Sequence, residues 1–251
     1  MDRRQFTKTL LAGITTFALM DSLLSLDALG SPVKPIVRHW AILLNEYCAD
    51  LSRDAITPVE WQAQSTLLLD QIPLPDLLKF IDFHKLQRGF QYPDLGVNTH
   101  RIQFPKLEGL PEHTVYGKKL FGMQKGRAII PHGHSNMVSA HLILQGELHL
   151  RHYEKVEHEA QHLIIRPTID RLAKVGESSS ISDEKDNVHW FIARTDAAFT
   201  FDIIVSDLKD KPYDIHNLDM DAKQSLSNGL LRVPILDVET ALQKYGKESH
   251  H

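Results

Sequence analysis

Between Val97 and Leu208 the chain breaks into short, strand-length runs, and that texture leaves few folds open. "RIQF", "TVYGKKLFGMQ", "AHLILQG", "ELHLRHYE", "HLIIRP" and "FTFDIIV" are rich in β-branched and aromatic residues and are separated by turn residues. Gly146, between "HLILQ" and "ELHLR", marks a hairpin turn. Many short strands at this spacing predict a mainly β fold, a barrel or a double-sheet jelly roll. The stretch "ESSSIS" is the one segment of low complexity.

The flanks differ in texture. From Pro35 to about Phe83 apolar residues recur at helical spacing, with Trp40, Leu43, Leu44, Tyr47 and Leu51 on one stripe. Thr57, Pro58 and Glu60 spell a capping box with proline at the first helical position. That second helix should run to about Leu69, and "PDLLKFI" opens a third at Pro75. Sixty residues of helix make a poor core alone, so residues 31–90 are expected to cover one face of the β unit, residues 91–214. Residues 215–251 are expected to form a tail with a terminal helix capped near Asp237.

Residues 1–30 carry Arg3 and Arg4, an apolar run from Leu10 to Met20, and small residues at Ala28 and Gly30. A basic start, a short apolar stretch and a small-residue exit are the parts of an export signal; an ordinary amphipathic helix is the competing reading. The paired arginines resemble the twin-arginine motif, although Asp2 stands where Ser or Thr is usual. The resemblance implies the twin-arginine export machinery as a partner, a periplasmic location, and a mature chain beginning near Ser31. Asp21 interrupts an apolar run already short for a bilayer, so no stable membrane span is expected in the mature chain.

A formal charge of −4 argues against a nucleic-acid partner, because counterion release needs a basic face. Cys48 is the sole cysteine, which excludes an intramolecular disulfide and cysteine-based zinc sites of the CxxC kind and suggests a buried, inert thiol. Fifteen histidines make imidazole the natural metal ligand. In "IIPHGHSNM", His132 and His134 stand two apart, so on a strand both can enter the interior while Gly133 faces outward. Pro131 suits a strand entrance. A third ligand must come from a distant strand, and "DNVHWF" supplies His189. One such histidine alone is most simply a core residue; three in this pattern point to a metal.

Other residues carry weaker signals. His141 shares strand parity with Ser139 and can face inward, as a hydrogen-bonding neighbour of the ligands or as packing. His149, His152, His158 and His162 sit in a polar stretch and read as surface residues. Asp186 and Asn187 can orient His189 or simply make a turn. Trp190 and Phe191 read as core and pocket wall. Tyr153 and Tyr213 are candidates for hydrogen bonding near the metal, and Arg101 and Arg127 for holding a carboxylate, with solvated charge as the default for both arginines. His250 and His251 are left out of the site.

"GRAIIPHGHSNMVSAHLILQG" resembles the first motif of the cupins: Gly126, five residues, His132-x-His134, ending at Gly146. Cupins usually place a glutamate ligand five residues past the second histidine, where this chain has Ser139. The second motif is represented by His189 but lacks its usual proline, second glycine and asparagine. The three-histidine thiol dioxygenases share the missing glutamate, and "IPHGHSNM" is similar to the "PLHDHPGM" of the cysteamine dioxygenase and plant cysteine oxidase branch. "NVHWFIARTDAAFTFDII" looks like that branch's histidine–aromatic segment and following aspartate strand, and "KPYD" echoes its Pro-Pro-Tyr after an insertion. Cysteine dioxygenase is a more distant likeness.

The resemblance covers about Lys119 to Asp214. It implies a double-stranded β-helix (a cupin or jelly-roll barrel) with Fe(II) at His132, His134 and His189, Zn, Mn or Ni being other possible occupants. Ser139, His141, Tyr153 and Tyr213 are then the neighbouring pocket residues, and a small thiol and dioxygen the reactants. Three neutral imidazoles leave the +2 charge uncompensated, so a thiolate suits the centre. A zinc hydrolase on the same triad and a non-catalytic, exported metal- or ligand-binding cupin are the alternatives.

Overall fold

In the computed structural model, which describes residues 33–248, the strand-length runs become two antiparallel sheets. Strands are numbered in chain order. One sheet runs β1 (Asn98–Arg101), β2 (Gly117–Met123), β9 (Ala198–Ser206), β4 (Met137–Gln145) and β7 (Ser178–Ile181). The other runs β10 (Asp214–Leu218), β3 (Ala128–Ser135), β8 (Val188–Ala193), β5 (Leu148–His158), β6 (His162–Ala173), β12 (Leu231–Leu236) and β11 (Gln224–Ser225). From β2 to β5, and again from β6 to β10, each successive strand lies in the opposite sheet. That winding is the jelly-roll barrel expected from the sequence.

Burial on both faces explains why β4 reads as a nearly continuous apolar run. Its Val138, Ala140, Leu142 and Leu144 join a cluster with Phe199, Phe201, Ile203 and Val205 of β9 on the outer face of the five-stranded sheet. Ser139, His141 and Ile143 take the opposite parity and enter the barrel. Four helices cover the outer face: α1 (Pro35–Ser52), α2 (Pro58–Gln71), α3 (Leu74–Phe80) and α4 (Phe83–Arg88). Trp40, Leu44, Trp61, Leu69 and Leu77 belong to the same cluster as the strands beneath them, so the helical segment and the sheet share one core. Ring contacts reinforce it, with Phe90 and Phe83 edge-on to Phe199 at 5.1 and 5.4 Å.

The capping box at Thr57 and Glu60 is present as expected, with Pro58 at the start of α2. The terminal helix α5 (Val238–Tyr245) is capped by Asp237, which accepts from the Thr240 N–H at 2.9 Å. Gly146 turns the β4–β5 hairpin at φ +78°, where a Cβ would lie 2.4 Å from Thr195 Oγ1. Three expectations are corrected. "ESSSIS" contains an edge strand, β7, whose three serines pair with Ala140 to Leu142 of β4. "RIQF" leaves the sheet after Arg101, and only the Ile102 N–H still reaches across, to the Lys118 carbonyl. The strand set also continues past residue 214, since β10 pairs with β3, and β12 with β6. Short tail strands with little alternation do not announce themselves in sequence. The expected export signal, residues 1–30, lies outside the described residues, as do His250 and His251. No described helix is long and apolar enough to cross a membrane.

At Gly122 on β2 the cover lies close against the sheet: a Cβ there would be 2.5 Å from Phe90 and 2.6 Å from Phe199. Gly122→Ala should therefore destabilise the fold by about 2 kcal/mol through overpacking, read as a lower urea midpoint. An unchanged midpoint would show that the helical segment is only loosely seated.

Candidate metal centre

Strand geometry assembles the triad. His132 and His134 project from one face of β3, and His189 of β8 is the direct cross-strand partner of His132. The β3–β8 register shifts between Ile129 and His132, around Pro131, which has no N–H to give the ladder. Ring centroids are 4.5 Å apart for His132 and His134, 4.3 Å for His132 and His189, and 5.1 Å for His134 and His189. One nitrogen from each ring lies within 4.8 Å of the other two.

The surroundings hold this arrangement. His132 Nδ1 sits 2.7 Å from the Ile130 carbonyl, which can only accept, so Nδ1 carries the proton and Nε2 is left as the ligand atom. The Asn187 side chain clamps the backbone of His134: Oδ1 accepts from its N–H at 3.0 Å, and Nδ2 donates to its carbonyl at 3.0 Å. Lys155 Nζ donates to the same carbonyl at 2.6 Å. Asn187 thus positions the β3 ligand rather than the ring of His189, while Asp186, at φ +54°, makes the turn before β8. Gly133 faces away from the barrel interior, as expected. It is buried against the outer layer, and a Cβ would lie 2.9 Å from Asn187 Oδ1, so the clamp needs a glycine there.

Burial keeps the triad neutral. It pushes His132 down to about 4, assisted by the nearby His141. His134 and His189 fall well below the usual histidine value of 6.5, again through burial and then neighbouring imidazoles. Neutral imidazole is the form that binds a metal. Both nitrogens of His134 and Nδ1 of His189 are buried without any hydrogen-bond partner. Buried polar atoms are rarely left so, and a divalent cation at the centre would satisfy one nitrogen of each ring. The donor set fits such an ion.

The triad opens into a cavity of about 360 Å³ that also exposes Ser139, His141 and Tyr213. Ser139 is buried, with its hydroxyl unpartnered. Tyr213 stands half-exposed at the mouth. His141 donates from Nδ1 to Asp202 Oδ2 at 2.7 Å, with both side chains buried. Its Nε2 and the second oxygen of Asp202 have no partner. Its ring centroid is 5.1 Å from that of His189. Sequence reasoning missed Asp202 as a site residue. The available signal was a carboxylate in the middle of "FTFDIIV", a strand that is otherwise apolar. Only the β4–β9 register, which sets Asp202 opposite His141, supplies its partner.

Other candidates lie elsewhere. Tyr153 points the opposite way from the cavity and packs with Ile130, Val188 and Tyr245 under α5. Parity decides this, because its neighbour His152 takes the inward place. His152 is therefore not a surface residue: it is 1% exposed, its ring is stacked on Phe191 at 5.9 Å, and burial pushes it down to about 3. His149 and His162 are half-buried and His158 is exposed. Phe191 is core beside the triad, whereas Trp190 faces the outer layer with Arg151 over its ring at 4.5 Å. Arg101 and Arg127 do not line the cavity. Cys48 is fully buried, and its thiol is pushed up to about 12, an inert group.

No protein-family model matches the chain, and no curated protein matches its sequence. Solved structures overlap it in part. An oxalate oxidase in complex with glycolate aligns at 15% identity and TM-score 0.35, over 49% of this chain and 55% of the other. The structure of KdgF from Halomonas sp. aligns at 13% identity and TM-score 0.34, over 49% and 92%. Procruciferin, an 11S globulin from Brassica napus, aligns at 10% identity and TM-score 0.31, over 41% and 22%. The chain thus spans about a fifth of the globulin and about half of the oxidase.

Two outcomes follow from the geometry. His189→Ala should lose most of its bound divalent metal by elemental analysis, because two ligands from one strand hold an ion weakly; stoichiometric metal in that variant would refute the centre. In the metal-free protein, His132, His134, His152 and His189 are neutral when folded and protonate at about pH 6.5 when unfolded. Their folded values are depressed, so the unfolded state binds more protons below pH 6.5, and stability falls as pH drops from there towards about 4. Each proton taken up contributes about 1.4 kcal/mol per pH unit. A urea midpoint flat across that window would contradict the neutral cluster.

Proposed function

We propose that the chain is a metal-dependent cupin that uses Fe(II) and dioxygen to oxidise a small thiol to a sulfinate. The observation that carries this reading is a convergent triad of neutral imidazoles with no carboxylate among the ligand atoms. The reaction adds both atoms of dioxygen to sulfur, RSH + O₂ → RSO₂H. The four electrons lost by sulfur are those gained by oxygen, so no further reductant is needed. A ferrous ion bound at the triad supplies a Lewis acid that acidifies the thiol and a redox centre that engages dioxygen.

The chain's own groups have definite tasks in this scheme. His132, His134 and His189 hold three positions and leave the cavity side open to reactants. His141, which lines the cavity and whose Nε2 has no partner, accepts the thiol proton, and Asp202 stabilises the imidazolium through Nδ1. Ser139 offers a hydroxyl at the place where many cupins carry a ligand, and keeps that place uncharged. Ile129, Met137 and Ile204 give the cavity an apolar wall suited to sulfur.

The His141–Asp202 pair also favours a second reading, hydrolysis at zinc, since a carboxylate-held imidazole is a general-base arrangement. A non-catalytic, metal-binding cupin is the third. We further propose export through the twin-arginine route on the strength of Arg3 and Arg4, which puts the site in the periplasm and away from cytosolic protein substrates.

Oxygen-electrode measurements on iron-loaded protein with a panel of small thiols test the main reading: thiol-dependent uptake with sulfinate formed one-to-one is expected. Turnover of an ester panel by zinc-loaded protein, with no oxygen uptake by the iron form, would select hydrolysis instead. Ser139→Glu should keep its metal yet lose about tenfold or more in thiol turnover, because the new carboxylate neutralises charge the thiolate answers. Unchanged turnover would remove the charge argument.

A further inference from the structure

The cavity beside the triad contains one ammonium group, and no described residue answers its charge. Lys119 lies on β2 between Gly117 and Phe121, and alternation turns all three toward the cavity they line. Its neighbour Lys118 points the other way, donating to Thr114 Oγ1 at 2.6 Å and lying over the rings of Phe104 and Tyr116. Lys119 itself forms no hydrogen bond or ion pair with the described residues. Sheet register sets it opposite Asp202, which in turn is opposite His141, so the three share one row across the inner face.

That row allows a charge count at the proposed centre. The divalent ion brings +2, the three imidazoles nothing, Lys119 +1 and Asp202 −1, with Asp202 already engaged by His141. The sum is +2. With the thiol proton passed to His141, a bound thiolate leaves the total at +2; an ammonium on the same molecule raises it to +3, whereas a carboxylate lowers it to +1. Lys119 is half-buried, so part of its charge stays solvated, and the remaining excess of positive charge favours an anionic group over a second cation. The backbones of Lys119 and His141 are two strand spacings apart, roughly 10 Å, with both side chains on one face.

We propose that Lys119 receives the carboxylate of the substrate, so that the enzyme acts on small thiols bearing a carboxylate rather than on aminothiols. This rests on the thiol reading of the site. It also sets the chain apart from the aminothiol substrate that the cysteamine dioxygenase likeness suggests.

The test uses full-length protein loaded with Co(II), whose thiolate absorption band reports binding without turnover. 3-Sulfanylpropanoate, 2-sulfanylethylamine and 1-propanethiol are titrated in turn. The carboxylate is expected to bind about tenfold tighter than propanethiol, as a charge-assisted hydrogen bond supplies, and the amine weakest. Lys119→Met should abolish the advantage of the carboxylate while leaving propanethiol within about twofold, with metal content unchanged, and Lys119→Arg should preserve it. Equal affinities, an amine that binds best, or an advantage that survives in Lys119→Met would overturn the proposal. Should none of the thiols develop the band, the thiol reading itself fails. Calorimetry with propanoate then decides about Lys119 separately: binding lost in Lys119→Met supports a carboxylate seat, and no binding to the parent protein rejects it.

Discussion

The pairing of His132 with His189 across neighbouring antiparallel strands is the contact on which the site depends. Residues 57 positions apart in the chain become direct cross-strand neighbours because β3 and β8 lie side by side in the seven-stranded sheet. His134 then needs only the two-residue repeat of a strand to join them. The Asn187 clamp ties the two strands together at the same level, through both polar groups of the His134 backbone. Ligand placement is therefore a consequence of register, and a slip of one residue would turn the ligands out of the barrel.

Layering supplies the second condition. The helical segment buries the outer face of one sheet and α5 the outer face of the other, so strands such as β4 are enclosed on both sides. This enclosure holds the barrel interior dry enough to keep four histidines neutral. Neutral imidazoles left without partners are a standing demand for a cation. The wall facing them provides the complementary chemistry: a His141–Asp202 pair that lines the cavity and keeps two unpartnered atoms, and Lys119 in the same row. The carboxylate absent from the ligand set is present in the cavity after all, one imidazole removed from the centre.

Much of this was legible beforehand, and the parts that were not share a cause. His132, His134 and His189 stood out because their types and spacing are rare outside metal sites. The capping box at Thr57 and the cap at Asp237 are local hydrogen-bonding patterns and could be read in place. Tyr153 and His152 were assigned the wrong way round because a polar stretch hides which parity faces inward. Asp202 and Lys119 carried no local signal, since a charged residue in a strand looks the same whether it meets solvent or a cavity. The strand in "ESSSIS" was invisible because its pairing with β4, not its own propensity, makes it a strand.

The sequence alone determined the fold class, the helical flank and the three candidate ligands, because strand length, turn residues, caps and the His-x-His repeat are short-range properties of the chain. Tertiary structure alone decided which groups share the cavity with those ligands. Register between β2, β9 and β4 aligned Lys119, Asp202 and His141 in one row, and register is settled by the burial of both faces of a sheet rather than by any residue's immediate neighbours.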